Sequence, residues 1–136
     1  MKRYLLDSTA LNLFVHRRRG VYERAISLRK SGSDVGTAMP IVAEILAGVE
    51  LSDSRDANLG LIERELKLLR LWPFDLAAAH SYVKVFGKLI RQGVIMQPID
   101  LMTAAVALTI PRCTVLTNDS DFSRVPGLQV ENWEQG

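Results

Sequence analysis

The sequence has one cysteine, Cys113, and two histidines, His16 and His80. A lone thiol excludes an internal disulfide, and so few nitrogen and sulfur ligands exclude a zinc cluster. Any metal must therefore be held by oxygen. Apolar runs of membrane-spanning length are also missing, and MKRYLLDSTALNLF is interrupted by Asp7 where an export signal needs its apolar centre. These absences point away from export or anchoring and toward the cytoplasm. No repeat, low-complexity tract or Pro/Gly/Ser-rich linker divides the chain. With 136 residues, 48% hydrophobic and 24% charged, it can bury one ordinary core, so residues 1–136 are read as a single domain.

A strong excess of one charge is lacking too. The formal net charge of +2 is too small to announce a nucleic-acid partner. Its distribution says more: Arg17, Arg18, Arg19, Arg24, Arg29 and Lys30 stand against the single acid Glu23. That local excess could meet phosphates. The alternative is that Arg17, Arg18 and Arg19, followed by Gly20, simply finish a helix whose C-terminal end favours cations.

What is present is an alternation of strand and helix signals. RYLL is a short apolar run closed by DST, a turn or N-cap signal before a helical ALNLFVH. Residues 21–31 read as helix, DVGTA as strand, and a helix runs from Pro40 to about Leu51. LGLIERELKLLRL carries Leu59, Ile62, Leu66 and Leu69 at helical spacing, an amphipathic helix. A short strand follows over Leu71 to Phe74, then a long helix from Asp75 to about Gln92 and a buried one from Pro98 to Ile110. TVLT reads as a core strand, NDSDF as a polar turn and LQVENW as a last strand. This order predicts an α/β fold with a mainly parallel sheet covered by helices on both faces. In such sheets function gathers where strands end and helices begin.

Carboxylates fall at those places. Asp7 directly follows YLL, and Asp119 follows VLT after one residue. Asp100 stands in the opening turn of the nearly all-apolar QPIDLMTAAVAL, with no Lys or Arg between Arg91 and Arg112. Glu44 sits in the apolar MPIVAEILAG, roughly 120° from the centre of that helix's apolar face and one turn before Gly48. Thr103, Ala104 and Ala107 share a face with Asp100, and small neighbours leave room for something to fit. Each acid has a plainer reading: Asp7 as a helix cap, Asp100 as a charge favoured by a helix dipole, Asp119 as a turn residue, Glu44 as a solvated flank. Thr9 and Asn12 could serve a site by hydrogen bonding or simply cap; Ser120 and Asp121 read as turn residues.

If the four acids converge, each raises the others' pKa values, and a divalent cation removes that penalty. Mg²⁺ or Mn²⁺ suits an all-oxygen site, and such a site is adapted to in-line attack on a phosphodiester. A metal-dependent nuclease is the chemistry this pattern favours.

The stretches YLLDSTALNLF, VAEILAGVE, QPIDLMTAAVAL and VLTNDSDFSRVPGLQVENW resemble, in order, the motifs of PIN-domain proteins, in particular the VapC-type toxin ribonucleases of toxin–antitoxin pairs. The resemblance covers essentially the whole chain and implies a three-layer α/β/α sandwich. It implies that Asp7, Glu44, Asp100 and Asp119 form the catalytic set, with Asp7 and Asp100 as direct Mg²⁺ ligands and Mn²⁺ able to substitute. Thr9, Asn12, Thr117 and Asp121 are supporting candidates, and Arg17, Arg18 and Arg19 are candidates for RNA contact. It further implies an RNA substrate such as tRNA, 5′-phosphate and 3′-hydroxyl products, a homodimer, and a small VapB-type antitoxin that blocks the cleft. The helix around Leu59 to Leu69 and the preceding helix are candidate walls for a partner's helix. Where the family often has DTN or DTS, Ser8 and Thr9 follow Asp7; where it often has GP before the third acid, Gln97 and Pro98 stand.

Other classes fit less well. A receiver-type signalling domain needs an Asp closing a middle strand and a late Lys; DVGTA has no such Asp, and the last lysine is Lys88. A phosphatase with an aspartyl nucleophile wants an acid where Thr9 stands. The remaining rival is a catalytically silent PIN-like module that binds RNA or a partner.

Overall fold

Five short strands alternate with six helices over residues 1–135, the part of the chain that the computed structural model describes. They are β1 (Arg3–Leu6), α1 (Ser8–Val15), α2 (Val21–Lys30), β2 (Asp34–Ala38), α3 (Met39–Glu50), α4 (Arg55–Leu66), β3 (Arg70–Trp72), α5 (Leu76–Arg91), α6 (Pro98–Thr109), β4 (Cys113–Leu116) and β5 (Gln129–Glu131). A 3₁₀ helix over Ser120–Arg124 follows β4.

The strands are apolar on both faces because helices cover both. Tyr4, Leu5 and Leu6 of β1 and Val115 and Leu116 of β4 are all buried, as expected of central parallel strands. The sheet order is β3-β2-β1-β4-β5, parallel throughout among the described residues where the sequence suggested mainly parallel. Right-handed crossovers place α1 to α4 on one face as the chain moves out to β3, and α5 and α6 on the other as it returns to β4. The two helix groups meet where α3 touches α6. Between β1 and β4 the direction of winding reverses, which opens a crevice beyond the C-terminal ends of those two strands. In register, Leu6 lies opposite both Thr37 and Leu116, so β1, β2 and β4 end level at that crevice.

Several boundaries differ from those read in the sequence. β3 stops at Trp72 rather than reaching Phe74, because Pro73 has no N–H to continue the ladder. α4 begins at Arg55 and ends at Leu66, so Leu69, expected on its apolar face, is buried from a turn in which its N–H bonds the Leu66 carbonyl. Leu59, also expected on that face, is one of the exposed apolar residues. The last three residues of NDSDF are wound into the 3₁₀ helix, which Asp119 caps, and the last strand keeps only three residues of LQVENW. No helix among the described residues is long and apolar enough to cross a membrane.

Candidate active site

Each acid is set by the end of a regular element. Asp7 leaves β1 with its N–H on the Leu116 carbonyl, 3.1 Å away, and becomes the N-cap of α1 by accepting the Ala10 N–H at 2.8 Å. The helix start and the strand end thus fix the carboxylate, which is almost fully buried. Thr37, a buried residue not singled out in the sequence, donates its hydroxyl to the Leu6 carbonyl at 2.8 Å and ties β2 to the strand end that carries Asp7. A buried Thr in the apolar strand DVGTA was the available signal. Just past β4, the Thr117 hydroxyl accepts the Asp119 N–H at 2.9 Å. Asp119 in turn caps the 3₁₀ helix through the Asp121 N–H at 2.9 Å.

Asp100 lies in the first turn of α6, behind Pro98, and its side chain caps nothing. Thr103 closes its hydroxyl onto the Ile99 carbonyl at 2.8 Å, while Ala104 and Ala107 are buried on the same helix. Glu44 is exposed on the flank of α3, and no atom of another part of the chain comes within 4 Å of the place a Cβ on Gly48 would take. The room inferred beside it is there.

Electrostatics join these positions. Burial first, and then the charges of Asp119, Asp7, Glu44 and Asp121, together raise the Asp100 pKa from the ordinary 3.8 to about 6. Asp7 is also raised, first by burial; hydrogen bonds from Thr117 and the Ala10 amide oppose this, and Asp119 and Glu134 add to it. The fold therefore brings the four predicted acids, with Asp121, into one field, and the largest charge effects on Asp100 all come from carboxylates. Glu134 was missed in the sequence because the C-terminal segment returns by long-range packing of Trp133 on Tyr4, ring centres 5.2 Å apart.

The donor set is all oxygen, partly buried and uncompensated, which fits a hard divalent cation. Among the described residues no three His, Cys, Asp or Glu side chains are gathered as metal ligands. Thr117 belongs to the site through Asp7 and Asp119. Thr9 is exposed without a side-chain hydrogen bond among the described residues, and Asn12 faces a groove between α1, α3 and α4.

Two of the three exposed arginines after α1 take part in ion pairs. Arg17 puts Nη1 2.8 Å from Glu65 Oε1 and its guanidinium 3.4 Å from the centre of the Tyr22 ring. Arg19 lies 3.9 Å from Glu134, and its carbonyl accepts the Gln135 N–H. Arg18 is exposed and unpaired among the described residues. All three follow the far end of α1, about 12 Å from Asp7 for a helix of eight residues. Arg17 also finishes α1, as the alternative reading expected: at φ 56° its N–H and that of Arg18 bond the Phe14 and Leu13 carbonyls, and its guanidinium donates to the Phe14 carbonyl at 3.2 Å.

Comparison with known proteins agrees with this geometry. The PIN domain profile matches residues 4–128. Ribonuclease VapC2 of Rickettsia felis is 24% identical over 132 residues, covering 97% of this chain and 98% of the relative. The tRNA(fMet)-specific endonuclease VapC of Shigella flexneri is 33% identical over 90 residues, covering 66% of this chain and 68% of the relative. The crystal structure of DNA-bound VapBC from Salmonella typhimurium superposes with a TM-score of 0.85 at 27% identity, covering 98% of this chain and 99% of that one.

Proposed function

This chain belongs to the PIN-domain family, in its VapC group, and from that premise we propose that it is a divalent-metal-dependent endoribonuclease, the toxin of a VapBC-type pair. The observation that carries the reading is the field around Asp100, where the largest charge effects all come from four other carboxylates. Proteins retain such repulsion where a cation is to be held.

In this reading Asp7 and Asp100 hold the ion, Mg²⁺ with Mn²⁺ as substitute. When bound, it supplies polarisation of a phosphoryl oxygen and neutralises the carboxylates. Glu44 and Asp119 orient the attacking water and take its proton on a carboxylate oxygen. The water oxygen forms a bond to phosphorus as the bond to the 3′ oxygen breaks; the proton passes to that oxygen, leaving 5′-phosphate and 3′-hydroxyl ends. Hydrogen bonds from Thr117 and the Ala10 amide favour the charged form of Asp7 against the effect of burial and fix it in place. Asp121 adds to the negative field rather than to the ligand set.

The substrate is RNA, with tRNA the first class to examine given the name of the Shigella flexneri relative. The VapB-type antitoxin is proposed to seat a helix in the groove lined by Asn12, His16, Ile45, Gly48, Leu61 and Ile62, between α1, α3 and α4. A homodimer is proposed across α5, whose Leu76, Val83, Phe86 and Ile90 form an exposed stripe with heptad spacing. The chain acts as one PIN-like unit in the cytoplasm, where its RNA is.

The deciding experiment incubates purified, antitoxin-free protein with total RNA, in Mg²⁺ or chelator, beside Asp100→Asn. Discrete metal-dependent products lost in the variant are expected. A folded wild-type protein that binds RNA and cuts none of it is instead the silent binding module.

A further inference from the structure

An acidic pocket repels the phosphates it must cut, so affinity for RNA has to come from cations elsewhere. Arg17 is held by Glu65 at 2.8 Å, and Arg19 stands 3.9 Å from Glu134. A different row is free. His80, Lys84 and Lys88 recur every four residues on α5, so they lie on one face one turn apart. All three are exposed, and none makes an ion pair among the described residues. α5 has no acid over Leu76–Arg91. Like charges one turn apart destabilise a helix slightly, and nothing on α5 relieves it.

These three side chains line a groove of about 490 Å³ whose other wall is Leu108 and Pro126. Both sides of the groove lead to the acids. Leu108 lies near the C-terminal end of α6, the helix that carries Asp100 in its first turn, about 12 Å from Asp100 along its axis. Pro126 lies two residues past Arg124, an exposed cation closing the 3₁₀ helix that Asp119 caps. At the other end of α5, Arg91 folds back over Gly87, with Nη1 3.3 Å from where a Cβ would stand, and the chain then runs directly into α6.

We infer that the groove lined by His80, Lys84 and Lys88 carries the phosphate backbone of the RNA substrate and delivers it to the acidic crevice. The inference rests on the nuclease reading and adds the surface that supplies affinity. Lysines on a single helix face bind phosphates as point charges and read no base, so this surface contributes strength and salt dependence rather than sequence choice.

The test measures binding of fluorescently labelled bulk tRNA by anisotropy, in an Asp100→Asn background so that nothing is cut, across a series of salt concentrations. Adding Lys84→Gln and Lys88→Gln is expected to weaken binding about tenfold and to lower the salt slope by about 2. Arg29→Gln with Lys30→Gln, equally exposed cations on α2, is expected to change neither. In the otherwise wild-type chain, Lys84→Gln with Lys88→Gln is expected to raise KM for tRNA cleavage with kcat little altered. Unchanged affinity, slope and KM, with circular dichroism showing a folded variant, overturns the groove and leaves the nuclease standing. Loss of binding to an acidic polypeptide such as polyglutamate, with tRNA binding intact, overturns it in favour of an acidic protein partner. A wild-type protein that cuts no RNA in Mg²⁺ instead defeats the underlying reading.

Discussion

Arg17 and Glu65 clamp the end of α1 to the end of α4, with Nη1 2.8 Å from Oε1. Glu65 is buried, and its second oxygen, Oε2, has no partner among the described residues. Removing the guanidinium leaves a buried charge unpaired, which costs more than the pair itself contributes. Because Arg17 is partly solvated, Arg17→Ala is expected to lower unfolding free energy by about 2 kcal/mol, and adding Glu65→Leu to recover most of it. Urea denaturation of the two variants measures this. Arg17→Ala should leave the salt slope of RNA binding unchanged; a slope lowered by about 1 would return Arg17 to the RNA interface.

Asp100 makes stability depend on pH in a stated direction. Its folded pKa of about 6 lies above the ordinary 3.8, first through burial and then through the neighbouring acids. The folded state thus binds the proton more tightly than the unfolded one. The resulting stabilisation is complete below about pH 4 and is lost as pH rises to about 6, a contribution of about 1–2 kcal/mol after allowance for solvent screening. Asp100→Asn should flatten that part of the profile and raise the melting temperature at pH 7. Mg²⁺ should raise the wild-type melting temperature more at pH 7 than at pH 5, and raise that of the variant little. Equal Mg²⁺ shifts in the two proteins would remove Asp100 from the metal site.

The two most informative acids were legible for a physical reason. Asp7 and Asp119 follow apolar runs that only a central parallel strand explains, and strand ends are where a parallel sheet gathers side chains. Asp100 and Glu44 were legible because a charge stands out in an apolar helix. Arg17 was not, because its partner Glu65 lies on a helix whose start the polar stretch before Leu59 concealed. Leu69 was misassigned for the opposite reason: helical spacing continues in the sequence past Leu66, where the backbone already turns. The groove basicity of α5 escaped notice because two lysines and a histidine spread over nine residues make no visible run.

Gly36 is required by backbone contact. It pairs with Arg70 across β2 and β3, and a Cβ there would meet the Arg70 carbonyl oxygen at 2.2 Å. That atom belongs to the main chain, so no side-chain rotation relieves the clash. Gly36→Ala is expected to cost about 3 kcal/mol and to free β3, the edge strand, before the rest of the sheet. Hydrogen exchange should show lost protection at the β3 amides paired with β2; native protection there would mean that the strands separate at little cost.

Gly48 poses the opposite case. Beyond its own helix turn, no described atom lies within 4 Å of its missing Cβ, so a large side chain fits the folded monomer and, in a helix, even gains propensity over glycine. It also lines the groove with Asn12, His16, Ile45, Leu61 and Ile62. Gly48→Phe should therefore fold with unchanged or slightly raised stability while filling the space proposed for the antitoxin's helix. If that groove is the docking site, a VapB-type antitoxin will inhibit the variant's RNA cleavage at least tenfold less well than it inhibits the wild type, because a helix that cannot enter loses its apolar anchors. Unaltered inhibition would mean that the antitoxin acts elsewhere, and loss of cleavage before any antitoxin is added would mean that the groove reaches Glu44, one turn away on α3.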